Sequence, residues 1–221
     1  TEKAAYTIRN DLQEVRELGI EVIPNQKTPR KFRGKTLKLQ EVNLTTLKSF
    51  LASLNEDISN VDAVAIAVQD HGAYPEGMSN RRFRIQKMKD LLEETGAPED
   101  LMFREDEVPS DFLRMKAAVQ ASKRQIPEAE TLIMDTSPAA ILGCLTSPST
   151  PKSKASLVVN VGNGHTMAAI ISRGKIVGLM EHHTRLMDSQ KMEQILIDFA
   201  DGELTNEGVF DDNGHGLFLF I

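Results

Sequence analysis

The sequence predicts a mixed α/β fold in two lobes, and three observations predict it. Over residues 1–146, helical and strand-like apolar patterns alternate, as they do in an α/β domain. Residues 147–156 are rich in serine, threonine, proline and lysine, which indicates a linker. Over residues 157–221, closely spaced strands with glycine turns precede a helix. We therefore expect a first-lobe portion, a linker and the start of a second lobe over these three ranges.

The first-lobe portion contains segments of both helical and strand-like pattern. Amphipathic or otherwise helical segments are predicted over 2–18, 45–55, 81–95, 110–125 and 139–145. Short apolar segments are predicted to be strands over 20–23, 37–42, 61–68 and 132–134. The run 61–68 is almost continuously apolar, which predicts a strand buried on both faces.

In the second lobe, strands over 157–161 and 166–172 flank a turn of glycine and asparagine at Gly162–His165. Those residue types suit the backbone angles of a hairpin. A second turn leads to a third strand over 176–181, and a helix over 188–200 ends at a glycine. The predicted order is therefore a three-stranded meander followed by a helix.

Composition excludes several classes of protein. The 26 basic and 32 acidic side chains give a net charge of -6, and 40% of the residues are hydrophobic, so the chain is not a low-complexity disordered one. Its single cysteine excludes a disulfide framework. No apolar run is long enough to span a bilayer, and the start shows no signal-peptide pattern. We expect a cytoplasmic protein with no membrane or nucleic-acid partner, of an oligomeric state that the sequence leaves open. Because it starts at Thr1 and ends in an apolar run, we expect a piece of a longer protein.

The sequence also predicts whether the single cysteine and one group of basic residues are buried or exposed. Cys144 lies on an apolar helical segment and is expected to be a small core residue. Five basic residues at the start of the helix 81–95 are expected to form a solvated face: Arg81, Arg82, Arg84, Lys87 and Lys89.

All five histidines lie beside glycines, carboxylates or threonines at predicted loops or strand ends. They occur in the segments 69–72, 163–166, 181–184 and 213–216. This placement favours a shared site that gathers several loops, and the alternative is four unrelated turns. His182 and His183 are neighbours on a strand, so at most one of them faces a common site. The histidines and the cysteine do not show the spacing typical of a structural zinc site. The sequence leaves open whether they bind a labile catalytic metal ion.

The turn at Gly162–Thr166 is the more specific feature. Its glycines lack Cβ atoms, so backbone N–H groups can approach an anion, and Thr166 can add a hydroxyl donor. A hairpin tip of this composition also forms without any ligand. The turn by itself therefore does not establish an anion-binding site, and the evidence for one comes from the neighbouring sequence.

Two segments together resemble the superfamily of actin, heat-shock chaperones and sugar kinases. In Asp135–Gly143 a strand leads into a Pro-Ala-Ala helix, and in Leu157–Thr166 a strand leads into the glycine turn. The resemblance implies a two-lobed, ribonuclease-H-like (actin-like ATPase) architecture, with ATP between the lobes and Mg²⁺ held through carboxylates and water. Asn160 stands where that superfamily's phosphate loop has an aspartate, and an amide brings no negative charge to Mg²⁺.

The predicted site residues follow from these motifs. Residues predicted to bind the ligand are Asn160, Gly162, Asn163, Gly164, His165, Thr166, Glu181 and His182. Residues predicted to be catalytic are Asp70, His71 and Asp135. Asp70 can orient His71 as a base or bind a metal-bound water, or else cap the turn before Gly72. Asp135 can act in the cleft, or else cap the helix that follows it.

The whole chain also resembles an archaeal and bacterial family labelled putative pyruvate formate-lyase activating enzyme. Four segments carry this resemblance: 68–72 (VQDHG), 134–140 (MDTSPAA), 161–166 (VGNGHT) and 181–184 (EHHT). The label implies radical chemistry at an iron–sulfur cluster held by three cysteines, but this sequence has one, so we expect neither the cluster nor that reaction. Members would begin with a further glycine-rich phosphate loop, so the architecture is expected to be incomplete at its N-terminus.

We expect a nucleotide- or phosphate-ligand-binding protein of the actin-like superfamily, either an ATP-dependent phosphotransferase or an ATPase. Its expected partner is a small phosphate-bearing ligand, with ATP and Mg²⁺ as the cofactors. Two alternatives stay open. One is a metal-dependent hydrolase that uses the histidines and carboxylates. The other is a non-catalytic nucleotide-binding regulatory module, which Asn160 favours.

Overall fold

The computed structural model describes residues 2–5, 12–24, 41–58, 60–150 and 155–220. It shows a mixed α/β fold with two sheets and several helices. The chain divides into two compact units, each built from two stretches of sequence. The first unit comprises Thr1–Ala73 and Phe103–Ile133, and the second comprises Tyr74–Met102 and Met134–Ile221.

The elements are numbered in chain order. The helices are α1 (Glu2–Ala5), α2 (Leu12–Glu17), α3 (Leu44–Ser53), α4 (Asn80–Leu92), α5 (Leu113–Gln125), α6 (Thr136–Thr146), α7 (Ser189–Ala200) and α8 (Asn206–Asp211). The strands are β1 (Ala63–Ala67), β2 (Met102–Arg104), β3 (Glu130–Met134), β4 (Ala155–Val161), β5 (His165–Ser172), β6 (Lys175–His183) and β7 (Gly216–Leu219). Short 3₁₀ helices lie at Pro98–Leu101 and Thr184–Leu186.

The first unit is organised around a three-stranded sheet of order β1-β3-β2. Its helix α5 begins without a side-chain cap from its own N-cap residue, Phe112. Asp70, which follows β1, supplies the cap instead, since its carboxylate accepts hydrogen bonds from the N–H groups of Arg114 (2.8 Å) and Met115 (3.0 Å). A residue distant in sequence thus fixes where α5 starts.

Several predictions in the first unit are corrected by the structure. The apolar run 61–68 forms β1, but its side chains alternate between exposed and partly buried. In the described part of the sheet β1 has one neighbour, which leaves it less covered than a central strand. Residues 20–23 form no strand. Of the strand predicted over 37–42, residues 37–40 lie outside the described part of the chain, as do residues 6–11 of the helix predicted over 2–18.

The second unit contains a four-stranded antiparallel sheet of order β4-β5-β6-β7 with helices on both faces. One face, here called the α4 face, packs Met167, Ala169, Ile171 and Leu179 against α4 and α6. The opposite α7 face packs Ala168, Met180 and Leu217 against α7 and α8. Because helices cover both faces of the sheet, the residues that point to either face are apolar. The sequences of these strands are therefore continuous apolar runs.

The structure confirms the predicted helices α4, α5, α6 and α7 and the β4–β6 meander, with ends that differ by a few residues. Helix α8 and strand β7 were not predicted. Among the described helices, none has both the length and the apolar character that a bilayer span requires.

Candidate functional site

A buried ion cluster lies on the α4 face of the second unit. The side chain of Arg84, from α4, is 1% exposed. Its Nη1 and Nη2 donate to the two carboxylate oxygens of Asp135 at 2.8 and 2.9 Å. Its Nε and Nη2 donate to Glu181 at 2.6 and 3.1 Å. One planar guanidinium therefore holds two buried carboxylates in fixed positions.

The charges of this cluster stabilise one another. Burial alone lowers the pKa of Arg84, but the carboxylates of Asp135 and Glu181 outweigh it and raise that pKa above its usual value. Asp135 also caps α6, because Oδ1 accepts a hydrogen bond from the N–H of Ser137 at 3.1 Å. Asp135 thus takes part in an ion pair and in the helix cap that its position in the sequence suggested.

The basic residues of α4 are not all on a solvated face, contrary to the prediction. Arg84 is buried beside Ile85 and Met88, because the core-facing stripe of α4 includes its position. Arg81 donates to the carbonyls of Phe210 (3.1 Å) and Gly214 (2.5 Å). The pairing with two carboxylates offsets the cost of burying a charged group at position 84.

Three histidines form a second group, here called the histidine cluster: His165, His183 and His215. Their ring centres are 4.7 Å apart for His165–His183, 4.8 Å for His165–His215 and 4.9 Å for His183–His215. His165 and His183 are directly paired across β5 and β6. His215 precedes β7, and its backbone N–H donates to the carbonyl of Glu181 at 2.9 Å. Hydrogen bonding between neighbouring strands thus gathers three rings from distant parts of the sequence.

The surroundings of all three rings lower their pKa values and so favour the uncharged form. Burial, which is the largest cause, and the neighbouring His165 together lower the pKa of His183 to about 4. Burial likewise lowers the pKa values of His165 and His215. Nδ1 of His215 lies 3.4 Å from Oε2 of Glu181, so the histidine cluster adjoins the ion cluster. A neutral imidazole has one nitrogen lone pair to offer as an acceptor or as a metal ligand.

The glycine turn between β4 and β5 is tied to the end of β6 by Thr184. The N–H of Thr184 donates to the carbonyl of Gly164 at 3.0 Å, and its hydroxyl donates to the carbonyl of Gly162 at 2.7 Å. The hydroxyls of Thr166 and Thr184 are 3.0 Å apart. Thr184 therefore fixes the orientation of the turn relative to the sheet.

The two glycines of this turn have different reasons to be glycine. A Cβ at Gly162 would lie 2.8 Å from the carbonyl oxygen of His165, so the hairpin itself requires a glycine there. At Gly164 a Cβ would meet no atom within 4 Å, and the backbone does not adopt the positive φ that favours glycine. The fold of the hairpin therefore does not account for glycine at position 164.

His182 lies on the opposite face of the sheet from His183 and Glu181, as the alternation of strand side chains requires. It is fully buried, and its Nε2 is 3.1 Å from Oδ2 of Asp212, which also pairs with Lys191 at 2.7 Å. Of the residues predicted to bind a ligand, His165 and Glu181 lie on the α4 face. Asn160, paired with Met167, lies on that face as well.

Asp70 and His71 belong to the first unit. The carboxylate of Asp70 accepts hydrogen bonds from Gly72 N–H at 3.0 Å and from the first turn of α5, which is the geometry of the capping alternative. Nε2 of His71 lies 3.4 Å from Nε2 of Gln69. Cys144 is exposed in the last turn of α6, contrary to the core position expected for it.

Arg84 and His183 are not among the site residues predicted from the sequence. Two signals in the sequence point to them. Position 84 directly precedes the apolar positions 85, 88 and 92 of the same helix, so it borders the buried stripe. His183 alternates with Glu181 on β6, so both belong to one face of the sheet. His215 lies in one of the four histidine segments and is not among the predicted site residues either.

One family model matches residues 1–221, and it is described as "Putative pyruvate format-lyase activating enzyme (DUF1786)". No curated protein matches the chain. No solved structure matches it either.

Proposed function

The chain belongs to the family described as putative pyruvate format-lyase activating enzyme, and we propose that it binds a phosphate-bearing ligand at the glycine turn between β4 and β5. The first candidate ligand is a nucleotide, ATP with Mg²⁺. The actin-like, two-lobed architecture is part of the same proposal. This architecture is supported by the order of elements along the chain, in which strand β3 is followed by the Pro-Ala-Ala helix α6 and then by the hairpin β4–β5.

The observation that carries this proposal is Gly164. Neither its backbone angle nor its surroundings require glycine, and the space that a Cβ would fill is open. A glycine of this kind allows a ligand to approach the backbone closely. Thr184 holds the turn through two carbonyls, those of Gly162 and Gly164. The open space beside Gly164 therefore keeps a fixed shape.

The directions of the peptide groups support an anionic ligand. In a trans peptide the C=O of one residue and the N–H of the next point in opposite directions. Thr184 holds the carbonyls of Gly162 and Gly164, so the N–H groups of Asn163 and His165 are directed away from Thr184. Backbone N–H groups that share a direction form a partial positive charge, which suits a phosphate oxygen.

Radical activation of a partner enzyme is not part of this proposal. That chemistry requires three cysteine thiolates around an iron–sulfur cluster, and Cys144 is the single cysteine among these 221 residues. It is exposed on α6. The residues of this chain therefore do not fit the cluster that the family description implies.

We propose binding, rather than rapid hydrolysis, as the basic function. Asn160 contributes no negative charge to Mg²⁺. The buried carboxylates of Asp135 and Glu181 both accept hydrogen bonds from Arg84, so their charge is already partly compensated. A non-catalytic regulatory role and a slow phosphotransfer reaction are both compatible with this arrangement.

Calorimetric titration of the 221-residue chain with ATP, ADP and inorganic phosphate, with and without Mg²⁺, tests the proposal. We expect Gly164→Ala to weaken binding at least tenfold, about 1.4 kcal/mol, because the added methyl group occupies the space of the ligand. Its thermal stability should stay unchanged, because the methyl group meets no protein atom within 4 Å.

Gly143→Ala is the matched control, since Gly143 likewise has open space and no positive φ but lies on α6. It should bind like the parent chain. Absence of binding by the parent to every phosphate ligand would refute the proposal. Equal binding by Gly164→Ala and the parent would place the ligand elsewhere and would refute it as well.

A further inference from the structure

We infer that the groove between α4 and β7 binds an acidic peptide segment in extended conformation, which pairs with β7 as a fifth strand of the four-stranded sheet. The groove has a volume of about 440 Å³, which is within the range of pockets that bind ligands in proteins. It lies entirely within the second unit and includes no residue of the glycine turn, so this inference is separate from the proposed phosphate binding.

The first wall of the groove is the backbone edge of β7. Leu217, Phe218 and Leu219 all line the groove. Their side chains alternate, with Phe218 on the α4 face and Leu217 and Leu219 on the α7 face. Three consecutive residues therefore border one groove through their backbone. In the described part of the sheet β7 pairs with β6 alone, so this edge is the place where a next strand would lie.

Backbone groups of β7 are directed toward this edge. Neighbouring residues of an antiparallel strand direct their N–H and C=O groups to opposite sides. The N–H of Phe220 donates to the carbonyl of Val177 on β6 at 2.7 Å, so the N–H and C=O of Leu219 are directed away from β6. The groups of Leu217 share that direction, and its N–H donates to Oδ1 of Asn206 at 3.0 Å.

The side chain of Asn206 thus takes the place that one carbonyl of a next strand would occupy. An added strand can pair with the carbonyl of Leu217 and with both backbone groups of Leu219. Addition of an extended peptide to a sheet edge is a common mode of peptide recognition, in which main-chain hydrogen bonds supply affinity and side chains supply specificity.

The second wall of the groove is one side of α4, and it carries positive charge. Arg82, Ile85, Gln86 and Lys89 line it, at helix positions that share one side. Among the described residues that line the groove none is acidic, although the chain as a whole has a net charge of -6. This wall therefore favours a peptide with carboxylates over a basic one.

Two carboxylates lie near this wall without lining the groove. Glu207 is 3.9 Å from Nη1 of Arg82, and the two side chains are 68% and 44% exposed, so their ion pair is weak. Asp90 accepts a hydrogen bond from Nε2 of Gln86 at 2.7 Å and is likewise exposed. A carboxylate of the peptide can therefore take the place of Glu207 at Arg82.

The test is fluorescence anisotropy of a labelled probe peptide, titrated with the 221-residue chain at low and at high salt. The probe has about six residues, the usual length of a strand, in which glutamate and valine alternate. Alternation places every glutamate on one face of an added strand. We expect saturable binding that weakens at high salt. A probe with lysine in place of glutamate should bind at least about tenfold more weakly.

Two further probes test the strand pairing itself. They carry N-methyl groups either on the glutamates or on the valines, so the charges stay and one set of N–H donors is lost. Because side-chain direction and N–H direction alternate together, one of the two sets faces β7. At least one of these probes should therefore bind about tenfold more weakly or worse. Binding of both as tightly as the unmethylated probe would show that charge alone holds the peptide, and it would overturn the inference.

Lys89→Glu should weaken binding of the acidic probe about tenfold, because repulsion replaces attraction at the α4 wall. Lys87→Glu is the matched control, since it makes the same change of charge on the same helix at a position that does not line the groove. It should bind within about twofold of the parent, since a charge outside the groove is screened by salt. Circular dichroism and thermal unfolding establish that both variants are folded.

Equal losses in the Lys87 and Lys89 variants would overturn the inference, as would the absence of saturable binding by the parent chain. Sedimentation velocity of the free chain identifies the other possible occupant. A dimer that fails to bind the acidic probe would place a second copy of the chain on β7. None of these results depends on whether a nucleotide binds.

Discussion

Arg84 shows how much a single side chain can decide in this molecule. Its guanidinium donates four hydrogen bonds to Asp135 and Glu181, in which each carboxylate accepts two. A lysine, with one compact charge, cannot hold two carboxylates in this planar arrangement. Because Glu181 lies beside His215, Arg84 also holds the carboxylate that adjoins the histidine cluster.

Replacing Arg84 with methionine should strongly destabilise the protein. The change leaves two buried carboxylates without their guanidinium, and removing one partner of a buried ion pair costs about 3–5 kcal/mol. Urea unfolding followed by circular dichroism measures the loss.

Arg82→Met is the control on the same helix, since the Arg82 side chain is 44% exposed. The variant loses the contact of the Arg82 guanidinium with the ring of Phe210. Apart from the effect of that loss, its free energy of unfolding should change by less than about 0.5 kcal/mol. Similar losses in the two variants would show that the ion cluster does not stabilise the fold.

At the scale of elements, two tight connections position the site. The hairpin β4–β5 is tied to β6 through Thr184, as described above. The corner between α8 and β7 brings His215 to the sheet, and Gly214 lies at this corner. A Cβ at Gly214 would lie 2.7 Å from the carbonyl oxygen of Val209 and 2.5 Å from its Cγ1. The corner therefore has no room for a side chain at this position.

Gly214→Ala should consequently destabilise the protein by about 1–3 kcal/mol, because the backbone of α8 has to move to admit the methyl group. Thermal and urea unfolding measure the effect. Gly143→Ala serves again as the control and should be neutral or stabilising by up to about 1 kcal/mol, since alanine favours a helix interior. A neutral Gly214→Ala would show that the corner is looser than its contacts indicate.

Which elements form could largely be predicted from the sequence, because their signals are local. The Asn-Gly turn indicates the hairpin β4–β5, and apolar spacing with a following glycine indicates α4 and α7. Strand β7 has four residues and helix α8 has six, which is too short for a periodic pattern to stand out. Their positions depend on packing against α4, β6 and the α7 face.

At the scale of the whole molecule, the candidate site lies entirely within the second unit. That unit joins residues 74–102, which contain α4, to residues 134–221, which contain the four-stranded sheet. Arg84 therefore comes from one stretch of the chain, and Asp135, Glu181 and the histidine cluster come from the other.

A saturating ligand of the glycine turn should raise the thermal stability of the parent chain. A ligand that binds only the native state stabilises it by about 2.7 kcal/mol at a hundred times its dissociation constant. Hydrogen exchange should slow most in β4 and β5, which flank the turn. Gly164→Ala should lose both effects, and Gly143→Ala should keep both. Equal protection throughout the described residues would contradict a localised site.

The sequence by itself determined the α/β character, the hairpin and its glycine turn, and the absence of a three-cysteine cluster from these 221 residues, because composition and local periodicity carry that information. Only the tertiary structure decided that Arg84 is buried and that His183, rather than His182, joins His165 and His215. The physical reason is the register of the strands. Pairing between β5 and β6, and between Glu181 and His215, brings side chains together irrespective of their separation along the chain.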